Sequence, residues 1–249
     1  MGAKPDLPVM PRTTDNLTIA KSDSWRMFDE ISPRYDLLNR LLSFGLDVSW
    51  RRQMVRFLPA QHNQKLLDLA TGTADVPLAL ARRNSSVVEV AGIDLAEEMI
   101  AIGRQKIVRA NLADKITLSH GDANHIPFEA NRFDAVTMAF GIRNMENPLQ
   151  VLGEMHRVLQ TGGRTLILEF SLPANRILRG LHLFYLRAVV PAVGGLVSGH
   201  REAYRYLNQT IERFPCGAAF CAIMEDAGFQ NVSAHPLMGG VAAIYVGEK

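Results

Sequence analysis

The chain is predicted to be an α/β domain: a mostly parallel, seven-stranded, Rossmann-like sheet flanked by helices and ending in an antiparallel hairpin. Three observations predict it. Short apolar runs alternate with amphipathic helical patterns from Lys65 to Phe170, an order that implies parallel strands with right-handed crossovers. The stretch Lys65–Asp75, KLLDLATGTAD, is an apolar run that stops at Thr71-Gly72-Thr73 before a helical pattern starts at Asp75. It reads as a buried strand, a tight turn and a helix N-terminus. The last two apolar runs are joined only through Met238-Gly239-Gly240, too short a link for a crossover.

Residues 1–20 are polar, contain three prolines and have no sustained period, so a mobile tail is expected. A single domain is expected over residues 21–249. From Ser22 to Phe57, Met27, Phe28, Ile31, Tyr35, Leu38, Leu41 and Leu42 recur at helical spacing, punctuated by Pro33 and Gly45, and Pro59 closes this prefix (21–58). Lys65–Ala70 is then strand one and Val76–Arg83 a helix. Val87–Ile93 is strand two, ending in Asp94, and Ala96–Ala110 a helix. Ile116–Ser119 and Phe133–Phe140 are strands three and four. Asn147–Leu159 is a helix terminated by Gly162-Gly163 as a left-handed C-cap, and Arg164–Phe170 is strand five. A helical insert covers 171–213. A helix near Phe214–Ala227, stopped by Gly228, precedes the hairpin strands Val232–His235 and Ala242–Gly247.

The turn points to a nucleoside cofactor, because open α/β sheets bind ligands at the carboxyl ends of their strands. A dinucleotide wants G-x-G-x-x-G, so that a pyrophosphate can approach the backbone. Here Gly72 stands alone and Asp75 opens the helix, where an acid repels a pyrophosphate. S-adenosylmethionine, with an ammonium, a sulfonium and no phosphate, suits the turn. Asp68 at the end of strand one, Asp94 22 positions after Gly72, and Asp122 after strand three place acids at three successive strand ends. Asp94 is expected to accept the ribose hydroxyls. Asp122 is expected to accept from the adenine amino group, with the Ala123 N–H reaching a ring nitrogen.

Composition sets the wider limits. The 249 residues are 47% hydrophobic and 21% charged with a formal net charge of +2, which indicates no general affinity for nucleic acid. Two cysteines, Cys216 and Cys221, fit neither a disulfide framework nor a zinc spacing, and no signal-peptide order is present, so a reducing cytoplasm is expected. The scattered histidines have no ligand spacing, so no metal is predicted. The segment Ile177–Val197 is broken by Arg179, His182, Arg187 and Pro191 and falls short of an apolar span. It reads as an amphipathic insert.

From Phe133 to Pro173 the chain reads FDAVTMAFGIRNMENPLQVLGEMHRVLQTGGRTLILEFSLP. With MFDEISPRYDLLNRLLSFGLDVSWRR before it and AYRYLNQTIERFP, MEDAGFQNV and GGVAAIYVGEK after it, this resembles the ubiquinone/menaquinone biosynthesis C-methyltransferase family from Ser24 to Lys249. The resemblance implies a class I S-adenosylmethionine-dependent methyltransferase acting on a polyprenylated quinol. It implies that Gly72, Thr73, Asp94, Asp122 and Ala123 hold the cofactor. Ala139 stands where the family often carries serine. Thr71 and Ala74 replace glycines of the ubiquinone-type turn, and GTAD with GGVAA points to demethylmenaquinol; the benzoquinol of the ubiquinone pathway, or both, is the alternative. A non-catalytic subunit of a quinone-synthesis assembly is the alternative of another class.

Arg143 and Asn144 follow strand four and are candidates to stabilise a phenolate and to orient a hydroxyl or water; Arg143 pairing with Glu146 or Asp122 is the structural alternative. Tyr35 matches the family's Tyr-Asp pair and is a candidate hydrogen-bonding partner of the ring. Glu169 is a further candidate base, and His200, Arg201 and Tyr204 are candidates for the substrate mouth. Ile177–Val197, with Leu183, Phe184, Arg179 and Arg187, is expected to form a lid and a peripheral membrane contact, with a lid packed wholly against the protein or a homodimer surface as the alternative.

Overall fold

The computed structural model describes residues 20–198 and 201–249. The mobile-tail expectation and His200 lie outside the described residues. Seven strands form one sheet: β1 (Gln64–Leu69), β2 (Val87–Asp94), β3 (Ile116–His120), β4 (Phe133–Ala139), β5 (Leu159–Phe170), β6 (Gln230–Leu237) and β7 (Ala242–Glu248). Their order is β3-β2-β1-β4-β5-β7-β6. The pairs among β1 to β5 are parallel, while β7 runs antiparallel to both β5 and β6. Strand order therefore reverses between β1 and β4, and the crevice outside their carboxyl ends is where such a sheet binds ligands.

Both faces of the sheet are covered, which explains why β1 and β4 are buried almost throughout. On one face, α2 (Leu46–Met54), α3 (Asp75–Arg83) and α4 (Glu97–Arg109) pack Trp50, Met54, Leu80 and Ile107 against Leu66 and Val90. On the other, α5 (Pro148–Val158) and α9 (Ala218–Asp226) pack Leu152, Met155, Phe220 and Met224 against Leu67, Val136 and Tyr245. A third cluster forms a roof beyond the strand ends. It joins Met27 and Leu38 of α1 (Ser24–Leu42) to Leu186 and Val190 of the insert and to Tyr206 and Ile211 of α8 (Arg201–Arg213).

Several expected boundaries move. Pro33 does not interrupt the prefix: α1 runs through it, and the break comes at Gly45, whose φ of 75° opens α2. Gly162-Gly163 is not a helix cap. The helix α5 ends at Val158, Leu159 already pairs with Phe133, and Gly162, at φ 78°, carries a bulge in β5 before Arg164 pairs with Ala135.

The insert also differs from the expectation. α6 (Arg176–Phe184), a π-helical turn (Tyr185–Val189) and α7 (Val190–Ser198) form one continuous helical run. Its portion Arg176–Leu196 is long and apolar enough, by length and composition, to cross a bilayer. Yet His182, Leu186 and Val190 are buried against the rest of the domain, so the run is also a wall of the roof. Two of its arginines are engaged: Arg187 pairs with Glu212, and Arg179 Nε donates to the Pro173 carbonyl at 2.8 Å.

Candidate active site

The turn after β1 is held by left-handed residues. Ala70, Gly72 and Ala74 have φ of 49°, 52° and 65°, a region that disfavours residues with a Cβ and recurs at functional sites. Asp94 pins it. Its Oδ2 accepts the Gly72 N–H at 2.7 Å and its Oδ1 the Ala96 N–H at 2.9 Å. Burial pushes its pKa up, and these N–H groups work against that shift. Each oxygen keeps lone-pair capacity for a further donor. At the next strand end, Asp122 Oδ1 accepts both the backbone N–H and the side-chain amide of Asn124 at 2.8 Å.

Gly72, Asp94, Leu95, Met99, Asp122 and Ala123 line a cavity of about 280 Å³, together with Ala139 and Asn144 and the start of α1. Buried Asn144 leaves its Oδ1 without a hydrogen-bond partner. A buried acceptor of this kind costs free energy until a donor reaches it. An ammonium group meets that need, and a carboxylate fixed by backbone N–H groups meets a ribose. This set of acceptors therefore fits S-adenosylmethionine.

A second cavity of about 250 Å³ adjoins it and is almost wholly apolar, with Ile31, Leu38, Trp50, Leu186 and Val190 in its wall. Phe28, Tyr35 and Phe140 line both cavities. Phe140 is held at φ 60°, in the left-handed region, at the end of β4. A bulky residue there is strained, and its surroundings over-determine it. Its N–H donates to Leu168 at 2.8 Å, its carbonyl accepts from Arg143 Nη1 and from Asn144 Nδ2, and its ring packs on Phe170 at 4.5 Å.

Arg143 lines the apolar cavity with 5% of its surface exposed. Its Nη1 donates to Glu169 Oε1 at 2.8 Å, while its Nε has no partner. The ion pair is thus with Glu169, not with Glu146 or Asp122. Glu169 is fully buried and also accepts the Phe170 N–H, so it serves as the counter-charge and lines neither cavity. Burial raises the Glu169 pKa and the guanidinium opposes that rise. Burial also raises the Tyr35 pKa, which keeps its phenol a neutral donor.

The expected residues separate into two groups. Gly72, Asp94, Asp122, Ala123, Ala139 and Asn144 surround the first cavity; Arg143 faces the second, and Tyr35 stands at their junction. Asp68 and Thr73 line neither. Asp68 lies under the turn, 1% exposed, bonded to Thr137, with its pKa pushed up by burial to about 7.

Thr73 Oγ1 donates to Asp36 at 2.7 Å and accepts from Lys106 at 3.0 Å. It belongs to an ionic network in which Asp75 meets Arg40 at 2.8 Å and Lys106 at 2.5 Å, with Arg51 and Asp47 behind them. Burial of Asp75 is outweighed by Arg51, Lys106 and Arg40, which hold its pKa down to about 2. Contrary to the expectation from the sequence, Asp75 is no free acid at the turn: its charge is spent on Arg40, Arg51 and Lys106.

Sequence reasoning passed over Phe28 and Phe140 at the junction, Lys21 on the first cavity and His182 on the second, whose buried Nε2 has no partner. Only Phe140 carried a signal, as part of FG-x-RN. Of the residues expected at the substrate mouth, Tyr204 lines the apolar cavity, 5% exposed.

The chain was compared with known proteins. The model of the ubiE/COQ5 methyltransferase family matches residues 18–249. A ubiquinone/menaquinone biosynthesis C-methyltransferase of Geotalea daltonii is 46% identical over 90% of this chain and 94% of its own. A demethylmenaquinone methyltransferase of Thermus thermophilus is 46% identical over 90% of this chain and 100% of its own. Among solved structures, a S-adenosylmethionine-dependent methyltransferase of Thermotoga maritima superposes with a TM-score of 0.64 at 16% identity, covering 90% of this chain and 99% of its own. That likeness concerns the fold. The chain belongs to the ubiE/COQ5 methyltransferase family and is a methyltransferase that uses S-adenosylmethionine.

Proposed function

We propose that the enzyme C-methylates the ring of a polyprenylated quinol, and that demethylmenaquinol is its acceptor. One observation carries the reading: a cavity walled by strand-end acids shares Phe28, Tyr35 and Phe140 with a second, mostly apolar one. An isoprenoid tail fits the second cavity by the hydrophobic effect, and an aromatic ring fits the aromatic junction. The GTAD turn favours the naphthoquinol, as does the relative named demethylmenaquinone methyltransferase, while the relative named for both quinones fits either acceptor.

S-adenosylmethionine, when bound, supplies an electrophilic methyl group on a sulfonium. The protein's part is to position, polarise and keep water out. Asp94 and Asp122 fix the nucleoside, and Asn144 Oδ1 meets the ammonium. Phe28 and Phe140 clamp the acceptor ring, which holds its carbon in place. Arg143, oriented by Glu169, presents its guanidinium to a quinol oxygen and stabilises the phenolate that makes the ring nucleophilic. Tyr35 donates to the same region as a neutral phenol. The apolar walls exclude water, which strengthens each of these contacts.

Purified protein incubated with S-adenosylmethionine and short-tailed demethylmenaquinol should yield the methylated quinol by mass spectrometry. Product from the benzoquinol alone would move the acceptor to the ubiquinone pathway, and product from neither would overturn the reading.

We further propose that the insert meets a membrane. α6 exposes Ile177, Leu181 and Phe184 along one face, and Phe44 and Met238 stand exposed beside the apolar cavity they line. An apolar rim around a lipid's entrance suits a bilayer surface. Leu183 is half-buried, so Leu181→Asp with Phe184→Asp is the informative pair. The double variant should lose co-sedimentation with anionic liposomes. Unchanged co-sedimentation rejects the role, and a loss of dimer instead would assign the face to a second copy of the chain.

A further inference from the structure

We propose that Lys21 binds the carboxylate of S-adenosylmethionine and so closes the polar cavity from the start of α1. This deepens the cofactor assignment and rests on it. The amino-acid end of that cofactor carries two opposite charges, and each needs a partner once it leaves water. Asp94, Asp122 and Glu146 line the cavity as acids; Lys21 is the one cation lining it among the described residues. A lone carboxylate in this cavity has no other charged partner there.

The lysine is placed for the task. It sits in a short 3-10 turn (Lys21–Asp23) directly before α1. Its Nζ donates to the Met145 carbonyl at 3.0 Å, just after the Arg143–Asn144 pair. An ammonium has three donors, so this bond leaves capacity for a carboxylate. Asn144, whose buried Oδ1 has no partner, lines the same cavity. An acceptor for the ammonium and a cation for the carboxylate therefore flank one end of it. Burial, and then the charge of Arg143, lower the Lys21 pKa, a penalty that an arriving carboxylate relieves. Ser22, Ser24, Trp25 and Phe28 line the cavity beside it, so the same segment forms the wall over the cofactor.

The test compares two ligands that differ in this group alone: S-adenosylmethionine and its decarboxylated analogue. Both are titrated by calorimetry into wild type, Lys21→Met and Lys21→Arg. Lys21→Met should raise the dissociation constant for S-adenosylmethionine about tenfold or more, the usual scale for a lost charge-assisted hydrogen bond. It should leave that for the decarboxylated analogue unchanged. Lys21→Arg should recover most of the affinity. Equal weakening of both ligands would reduce Lys21 to a wall residue and overturn the proposal, as would no change in either. Wild type that binds neither ligand would remove the cofactor assignment and this role with it.

Discussion

Asp68 shows how one buried side chain ties the turn to stability. Burial raises its pKa to about 7 against an ordinary 3.8. The folded state then holds a proton that the unfolded chain releases, so this group's contribution falls as pH rises from about 4 to 7 and is flat above that. Asp68→Asn does not titrate. Urea unfolding at pH 5 and pH 8 should show the variant gaining about 3 kcal/mol on wild type across that interval; parallel curves would refute the shift. Arg143 needs a different design. Arg143→Ala strands the Glu169 charge in the core, a loss of about 3–5 kcal/mol that obscures any catalytic effect. The double variant Arg143→Ala with Glu169→Ala should regain part of that stability while turnover stays absent, which separates the two roles of the guanidinium. A double variant that turns over normally would remove Arg143 from the chemistry.

At the scale of elements, the prefix and the insert build much of the apolar cavity's wall. Helix α1 is fastened to the sheet end by Asp36 and Arg40, through Lys106, Asp75 and Thr73. The roof depends on close approach between α7 and α8. At Gly194 an added Cβ would lie 2.5 Å from the Tyr204 ring, which lines the apolar cavity. Gly194→Ala must displace that ring. It should destabilise the protein by roughly 1–3 kcal/mol, the usual cost of overpacking, and should weaken binding of the quinol more than that of S-adenosylmethionine. Equal loss for both ligands would show that the roof is not selective for the acceptor. The π-helical turn at Tyr185–Val189 occurs where the insert meets this cavity, a common placement for such turns.

At the scale of the whole molecule, the two cavities link both ligands to folding. S-adenosylhomocysteine at a hundred times its dissociation constant should raise the unfolding free energy by about 2.7 kcal/mol, because it binds only the folded chain. Asp94→Asn weakens the ribose contact and opens the turn. It should lose most of that increment at the same ligand concentration, as measured by thermal unfolding with and without ligand. An undiminished increment would remove Asp94 from the cofactor site.

The sequence by itself determined that the first five strands run parallel, the antiparallel hairpin and the family, and it singled out Gly72, Asp94, Asp122 and Ala123, which line one cavity. All of these follow from local patterns: apolar periodicity, a turn and acids at strand ends. It also led to the right cofactor by a wrong step, since Asp75 reads as a free acid until Arg40, Arg51 and Lys106 are brought beside it. Thr73 and Asp68 look like cofactor residues for the same reason: a motif records position in the chain but not the direction of a side chain. Only the tertiary structure decided the rest. The Arg143–Glu169 pair spans 26 positions, and Phe28 and Phe140 line the same two cavities only because α1 packs over the strand ends. Contacts between segments distant in sequence leave no local period to read, and the acceptor cavity is made almost wholly of such contacts.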